Sequence, residues 1–477
     1  MKSTSSDSLV EAWASLSHFA GRAAIVDTRR RVLRTFAQIE EEARDFERTL
    51  LHEFRRGEVI VIQVGNHAAW PALLLAGLRR QLVVVPLERT MARRERDSVL
   101  RICCAAAILE TAGNANTISG RIALRSLPHE SIDWGSNCPS LLKLTSGTTA
   151  APRAIRFRSE QLLADCTQIC ETMCITEHDL NFGVIPFSHS YGFSNLIMPL
   201  LCRGVRLVAS EDRMPRAILD GLDRSGATVF PGMPVFFEKL AELENPPRPN
   251  RLRLCISAGA PLPGRVAEKF ALQFGAKIHT FYGASECGGI CYDREGDVES
   301  AEGFVGSAME GVSISLLQSE TPTRIEVRSR AVGDGYFPQS DPASLGDGRF
   351  VPGDLIEKSG AGYRIAGRVS DVINVAGRKL NPHEVEAQLM RFPHVRQAVV
   401  FGVGSSLRNE EAVACVVSDG ADSEDLIRFC RASLSAWQVP KAIWFVAEIP
   451  TSERGKISRR ELAEKYRLSQ QTEISRR

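Results

Sequence analysis

The 477-residue chain has no excess charge of either sign to speak of: 59 Lys plus Arg face 57 Asp plus Glu, leaving a formal +2. So small an imbalance supplies no field for a phosphate backbone unless the charges segregate on one face, and nucleic acid is not the expected partner. No run approaches the roughly 18 to 20 apolar residues of a membrane span. The start, MKSTSSDSLVEAWASL, meets Glu11 before any apolar segment that a secretory signal needs. A soluble, cytoplasmic protein without integral membrane contact is expected. The 12 cysteines include no CxxC pair, and Cys103, Cys255 and Cys415 lie inside apolar runs, so reduced thiols are expected. Cys166, Cys170 and Cys174 are spaced to share a helix face, but no nearby His completes the four ligands that zinc wants. They read as small buried helix residues. Internal repeats and low-complexity tracts are also missing. With 44% hydrophobic and 24% charged residues, the chain is neither disordered nor a small stapled scaffold. Its length allows about three compact units at roughly 150 residues each.

What is present is alternation. From about residue 58 to 290, short β-rich runs (VIVIQV, LVVVPL, VRLVAS, ATVFPG, LRLCISAGA, KIHTFYG) are separated by longer amphipathic stretches. That pattern predicts an α/β fold of doubly wound, mainly parallel sheets with helices. Pro246, Pro247 and Pro249 mark a surface loop before a strand at 252 to 257. Residues 332 to 354 are turn-rich, and after 363 the elements become shorter and mixed, which predicts a small α+β domain of normal size. The expected division is a large N-terminal domain over 1–369 and a small, mobile C-terminal domain over 370–477.

The chemistry concentrates in LLKLTSGTTAAPRAI, residues 141 to 155. Thr145, Ser146, Gly147, Thr148 and Thr149 offer hydroxyls and a backbone that lets an anion approach, and Arg153 places a cation at the exit. This is a candidate polyphosphate cradle, although such a cluster alone also fits an ordinary loop. It is not the Walker pattern, which needs Gly-Lys-Ser/Thr opening a helix. Taken alone, Tyr282 reads as a buried aromatic, Glu286 as a surface carboxylate and Asp354 as part of a common Pro-Gly-Asp turn.

Together these segments resemble the adenylate-forming superfamily of acyl-CoA synthetases, luciferases and peptide-synthetase adenylation domains, with fatty acyl-CoA ligases closest. The resemblance covers about 140 to 460 and implies a role for each matching position. FYGASE (281 to 286) resembles the segment whose aromatic ring packs on adenine and whose Glu helps hold magnesium, which involves Tyr282, Gly283, Ser285 and Glu286. SAGAPL (257 to 262) resembles the small turn under adenine and acyl group, with Gly259 and Ala260. VPGDL matches the ribose-binding carboxylate at Asp354. In AGRVSDVINVAGRKL, Arg368 corresponds to the nucleotide-contacting arginine, Ser370 to the hinge, and Gly377 with Arg378 to the thiol tunnel. PTSERGKISRREL aligns Lys456 with the catalytic lysine, an ammonium that offsets charge on the reacting oxygens. Thr145 and His189 complete the catalytic set.

PFSHSYGFSNLIMPLL (186 to 201) resembles the acyl-pocket segment, with His189 at the mouth and Tyr191 to Phe193 as wall. His189 fits a satisfied core histidine equally well. The Asp that pairs with a substrate ammonium in amino-acid-activating members is missing between Pro186 and Tyr191, so a hydrophobic, fatty-type acid is expected. Departures include Ala150 for a loop Gly, Arg153 for Lys, Ser285 for Thr, Pro352 for Thr, Asn374 for Lys, and Ser370 at the hinge. The resemblance implies an acid–thiol ligase using ATP and Mg²⁺ with coenzyme A as co-substrate. The alternatives are loading of an acyl carrier protein's phosphopantetheine and a homologue that binds nucleotide without catalysis.

Overall fold

The computed structural model describes residues 7–112, 118, 120–145, 153–297, 303–319, 322–375, 378–405, 409–450 and 457–474. Its contacts divide into two compact units. The larger comprises Met1–Leu316, Glu326–Pro352 and Lys358–Arg364; the smaller comprises Leu317–Ile325, Gly353–Glu357 and Ile365–Arg477.

The larger unit is built on sheets of the doubly wound kind. A seven-stranded sheet among the described residues runs in the order Gly335–Phe337, Ala154–Phe157, Leu141–Leu144, Val83–Pro86, Val59–Gln63, Ala105–Thr111, Ile122–Ser126. Its centre is parallel and its edges antiparallel. The central strands VIVIQ and VVVP are buried throughout, as expected when both faces of a parallel sheet are covered. One covering element, Trp70–Arg79 (WPALLLAGLR), is buried from Trp70 to Leu78, which explains why it is apolar all round. A second sheet places Ala23–Val26, Arg206–Ala209, Leu180–Gly183, Val229–Gly232, Leu254–Ser257 and Ile278–Ala284 side by side in parallel. It then turns antiparallel through Gly288–Tyr292 and Phe304–Ala308. The carboxyl ends of these parallel strands lead into the segments singled out from the sequence, the usual location of ligand sites in open α/β sheets.

Cys166 and Cys170 are buried in the helix Ser159–Thr172. Cys174 departs from the expected pattern: it is exposed, beyond the helix end, with φ of 51°. No helix among the described residues is long and apolar enough to cross a membrane.

The smaller unit centres on the antiparallel pair Val395–Ser405 and Asn409–Ser418, with Ala442–Phe445 parallel to the latter and Ile373–Val375 antiparallel to it along the same edge. Alternation sorts its core into two faces. Val400, Ala412, Ala414 and Val416 join Val385, Leu389, Leu426 and Cys430 of two helices. Val399, Phe401, Val413, Cys415 and Val417 join Leu462 and Ala463 of the C-terminal helix.

Candidate active site

In the larger unit, Leu141–Leu144 ends at Thr145, whose N–H and Oγ1 both donate to the Arg153 carbonyl, at 2.9 and 3.2 Å. The two ends of the candidate phosphate loop are thereby closed on each other. Ser146, Gly147, Thr148, Thr149 and Ala150 lie outside the described residues. The Arg153 guanidinium lies 4.3 Å from the ring centroid of Tyr336. The Tyr336 hydroxyl donates to Glu286 Oε1 at 3.0 Å, and the Gly333 N–H donates to the Glu286 carbonyl at 2.9 Å. Burial, then the Glu286 charge, raises the pKa of Tyr336 well above its ordinary value, so the phenol keeps its proton and serves as a donor. One tyrosine thus connects the cation at the loop exit with the carboxylate proposed for the metal.

The candidate acyl segment is joined to the same place. The Ser190 hydroxyl donates to Ser285 Oγ at 2.8 Å, one residue before Glu286. The Tyr191 hydroxyl donates to the Ile256 carbonyl at 3.0 Å, and its ring stacks on Phe281 at 5.8 Å and 30°. Tyr191, Phe193 and Phe281 are buried, which gives this part of the segment an apolar wall. His189 precedes the short helix Ser190–Gly192, and its Nδ1 accepts from the Tyr191 N–H at 3.2 Å. That bond assigns the proton of a neutral imidazole to Nε2. Tyr282 is buried in the strand Ile278–Ala284.

Two of the candidate glycines have different physical reasons. Gly259 has φ of +90° with open space where a Cβ would stand, so backbone conformation calls for glycine and Ala260 after it is exposed. At Gly283 a Cβ would lie 2.7 Å from the Gly288 carbonyl, so the antiparallel turn-back itself excludes a side chain. Glu286 is a single carboxylate. Mg²⁺ is commonly held by one or two carboxylates together with substrate phosphates and waters, and this donor set fits it. Among the described residues no group of three His, Cys, Asp or Glu converges.

In the smaller unit, Arg368 Nε donates to Asp354 Oδ1 at 2.8 Å. The Asp354 side chain is 12% exposed and Arg368 57%, so the carboxylate is sheltered and the guanidinium open. Ser370 lies in the turn Val369–Asp371 and donates to Asp371 Oδ1 at 3.0 Å. Asp371 pairs with Arg459 at 3.3 Å, and Arg459 also reaches Glu386 at 3.1 Å. The turn carrying Ser370 is therefore tied to the helix that starts three residues after Lys456, which with Gly377 lies outside the described residues. Arg378 is exposed, its guanidinium 5.6 Å from the Trp437 ring centroid.

Three contributors are absent from the sequence reading. Tyr336 and Arg459 sit in turn-rich or basic surroundings that carry no periodic signal. Asn66 is buried, its Nδ2 within 2.9, 3.1 and 2.9 Å of the Gly183, Ile185 and Ser210 carbonyls while Oδ1 accepts from the Phe187 N–H at 2.9 Å. A polar residue shortly after the strand VIVIQ is the one sequence signal that could have found it.

Known proteins match both units. Residues 11–337 match the AMP-binding enzyme family, and residues 384–456 its C-terminal domain. A long-chain-fatty-acid–CoA ligase of Bacillus subtilis is 30% identical over 346 residues, 68% of this chain and 61% of that protein. The chain thus spans less than two thirds of that relative. A feruloyl-CoA synthase of Amycolatopsis is 26% identical over 443 residues, covering 86% of this chain and 89% of that one. Among solved structures, ATP-bound MatB from Rhodopseudomonas palustris has a TM-score of 0.82 at 23% identity, covering 96% of this chain and 99% of that chain.

Proposed function

Because the chain belongs to the AMP-binding enzyme family, whose curated relatives include CoA ligases and synthetases, we propose that it activates a hydrophobic monocarboxylic acid as acyl-adenylate and passes the acyl group to coenzyme A. The observation that carries this reading is the Arg153–Tyr336–Glu286 chain, with the apolar Tyr191 segment joined beside it through Ser190 and Ser285. It supports a place where a polyphosphate, a metal-binding carboxylate and an acyl chain meet.

In the first step an oxygen of the substrate carboxylate attacks the α-phosphorus of ATP, the bond to the bridging oxygen of the β-phosphate breaks, and pyrophosphate leaves. Arg153 and the 145–153 loop take the departing phosphates. Magnesium, when bound, neutralises phosphate charge, and Glu286 is the residue to hold it, oriented by the Tyr336 hydroxyl. Lys456 offsets the charge gathering on the reacting oxygens. Little covalent work falls to the protein in such a transfer; positioning and charge stabilisation supply the rate. Tyr282 stacks on the adenine, while Asp354 accepts from the ribose hydroxyls and Arg368, paired with it, reaches ribose and phosphate. In the second step the thiol sulfur attacks the acyl carbon, its proton is lost, and AMP departs. A swing of the chain that follows Ser370 separates the two steps.

The relatives' names span fatty and aromatic acids, so the acid is the part of the reading most open to test. Purified protein with ATP and Mg²⁺ is offered fatty, cinnamic-type and amino acids, and pyrophosphate is measured. Release with fatty or aryl acids, followed by thioester on adding coenzyme A, is the expected result. Preference for an amino acid overturns the substrate assignment. Thioester formed only with a phosphopantetheinylated carrier protein overturns the acceptor.

A further inference from the structure

A second polar cluster, joined to the strand that follows Glu286, is used by no step above. Lys143 stands two residues before Thr145 in a strand whose other members are leucines. It is 4% exposed, and its ammonium lies 4.7 Å from the ring centroid of Phe157 and 5.3 Å from that of Phe193. Burial lowers its pKa, opposed by the charges of Asp165 and Glu286. Lys143 Nζ donates to Ser194 Oγ at 3.4 Å, Ser194 donates to Asp165 Oδ2 at 2.5 Å, and Asp165 Oδ1 accepts from the Gly289 N–H at 3.1 Å. All of these side chains are buried, and a Cβ on Gly288 would collide with the Asp165 carboxylate.

The cluster gathers four segments. Lys143 belongs to the strand that enters the phosphate loop, Asp165 to the helix Ser159–Thr172, Ser194 to the π-turn Phe193–Ile197 of the acyl segment, and Gly289 to the strand that follows Glu286. Single π-turns are uncommon and concentrate at functional sites. A buried ammonium and carboxylate are poor stabilisers next to apolar side chains of the same volume, so packing alone does not account for them.

The geometry points to Lys143 and Asp165 as positioning residues for adenylation: through Ser194 and the Gly289 amide they hold the phosphate-loop strand, the acyl segment and the Glu286 turn in one mutual register. This inference rests on the adenylation reading. Its consequence is kinetic, because a misplacement of about 1 Å costs on the order of 100-fold in rate.

The test compares Lys143→Met, Asp165→Asn, Ser194→Ala and the double Lys143→Met/Asp165→Asn with the wild type. Pyrophosphate release is measured with ATP and acid varied, active sites are titrated by the single-turnover burst, and melting is followed. The expected result is a fall in kcat per titrated site of about 10- to 100-fold in the two charge variants and about 5-fold in Ser194→Ala, with KM for ATP within about threefold. The double variant regains part of the loss of Asp165→Asn, because no ammonium is left buried without its carboxylate. Wild-type kcat in folded single variants, or a loss seen wholly as fewer titrated sites, overturns the inference. Should a charge variant fail to fold, Ser194→Ala decides, since it removes only the bridging hydroxyl: unchanged kcat there overturns it. A wild type that releases no pyrophosphate with any acid defeats the adenylation reading and this inference together, whereas an active wild type with unaffected variants defeats this inference alone.

Discussion

Tyr336 carries two loads with two parts of one side chain: its ring faces the Arg153 guanidinium and its hydroxyl donates to Glu286. Tyr336→Phe separates them, since the ring remains and only the hydroxyl is lost. A hydrogen bond to a charged group contributes roughly 1.5 to 3 kcal/mol, so the variant should lose about 10- to 100-fold in kcat/KM for Mg·ATP. Glu286→Gln should cost more and raise the magnesium concentration at half-maximal rate. Both are read by pyrophosphate release across a magnesium titration, and an unchanged magnesium requirement in Glu286→Gln would assign the metal to another residue. The sequence marked Tyr282 and Glu286 as candidates because their spacing repeats a family motif. Tyr336 was not marked, because it reaches Glu286 from 50 residues away.

The loops around the start of the candidate acyl segment depend on a residue of a different strand–helix connection. Asn66 follows the strand Val59–Gln63, yet it serves the carbonyls of Gly183, Ile185 and Ser210 and the N–H of Phe187. Asn66→Ala leaves those buried groups unmet and should destabilise the protein by about 2 to 4 kcal/mol. Denaturant unfolding measures this, and KM for the acid should rise in parallel. A stability within 0.5 kcal/mol of wild type, the range of about ±0.5 kcal/mol typical of surface changes, would mean the loop holds itself. The turn Val369–Asp371 is proposed as the hinge, and its side chains already engage partners: Ser370 with Asp371, and Asp371 with Arg459. Proline at 370 would hold φ near −65° and restrict Val369. Ser370→Pro is therefore expected to keep single-turnover pyrophosphate release while losing thioester formation from preformed adenylate, with Ser370→Ala retaining both. Normal thioester yield from the proline variant would place the hinge elsewhere.

Acid sensitivity belongs to the molecule as a whole, and Asp179 is a defined contributor. Burial by itself raises its pKa, but the Arg253 guanidinium at 2.6 and 2.8 Å, the Thr176 N–H and the Thr228 hydroxyl outweigh it and hold the carboxyl below its ordinary value. A depressed folded pKa means that this stabilisation is fully present above the unfolded carboxylate value of about 3.9 and is lost as pH falls through the folded one. Asp179→Asn should lower the melting temperature at neutral pH and flatten its decline below about pH 5. Parallel curves for variant and wild type would remove Asp179 from the acid response. The alternating strands and helices, the change of pattern after residue 363, and the motif residues are local in the chain, where period and spacing act over a few residues, so sequence alone determined the α/β class and the family. The sequence also marked Asp354 and Arg368 separately, but folding brought them to 2.8 Å. The Tyr336–Glu286 bond, the reach of Asn66 and the buried Lys143–Ser194–Asp165 cluster needed the tertiary structure for the same reason. Their partners stand tens to more than a hundred residues apart, and only packed sheets and helices convert such separations into hydrogen-bond distances.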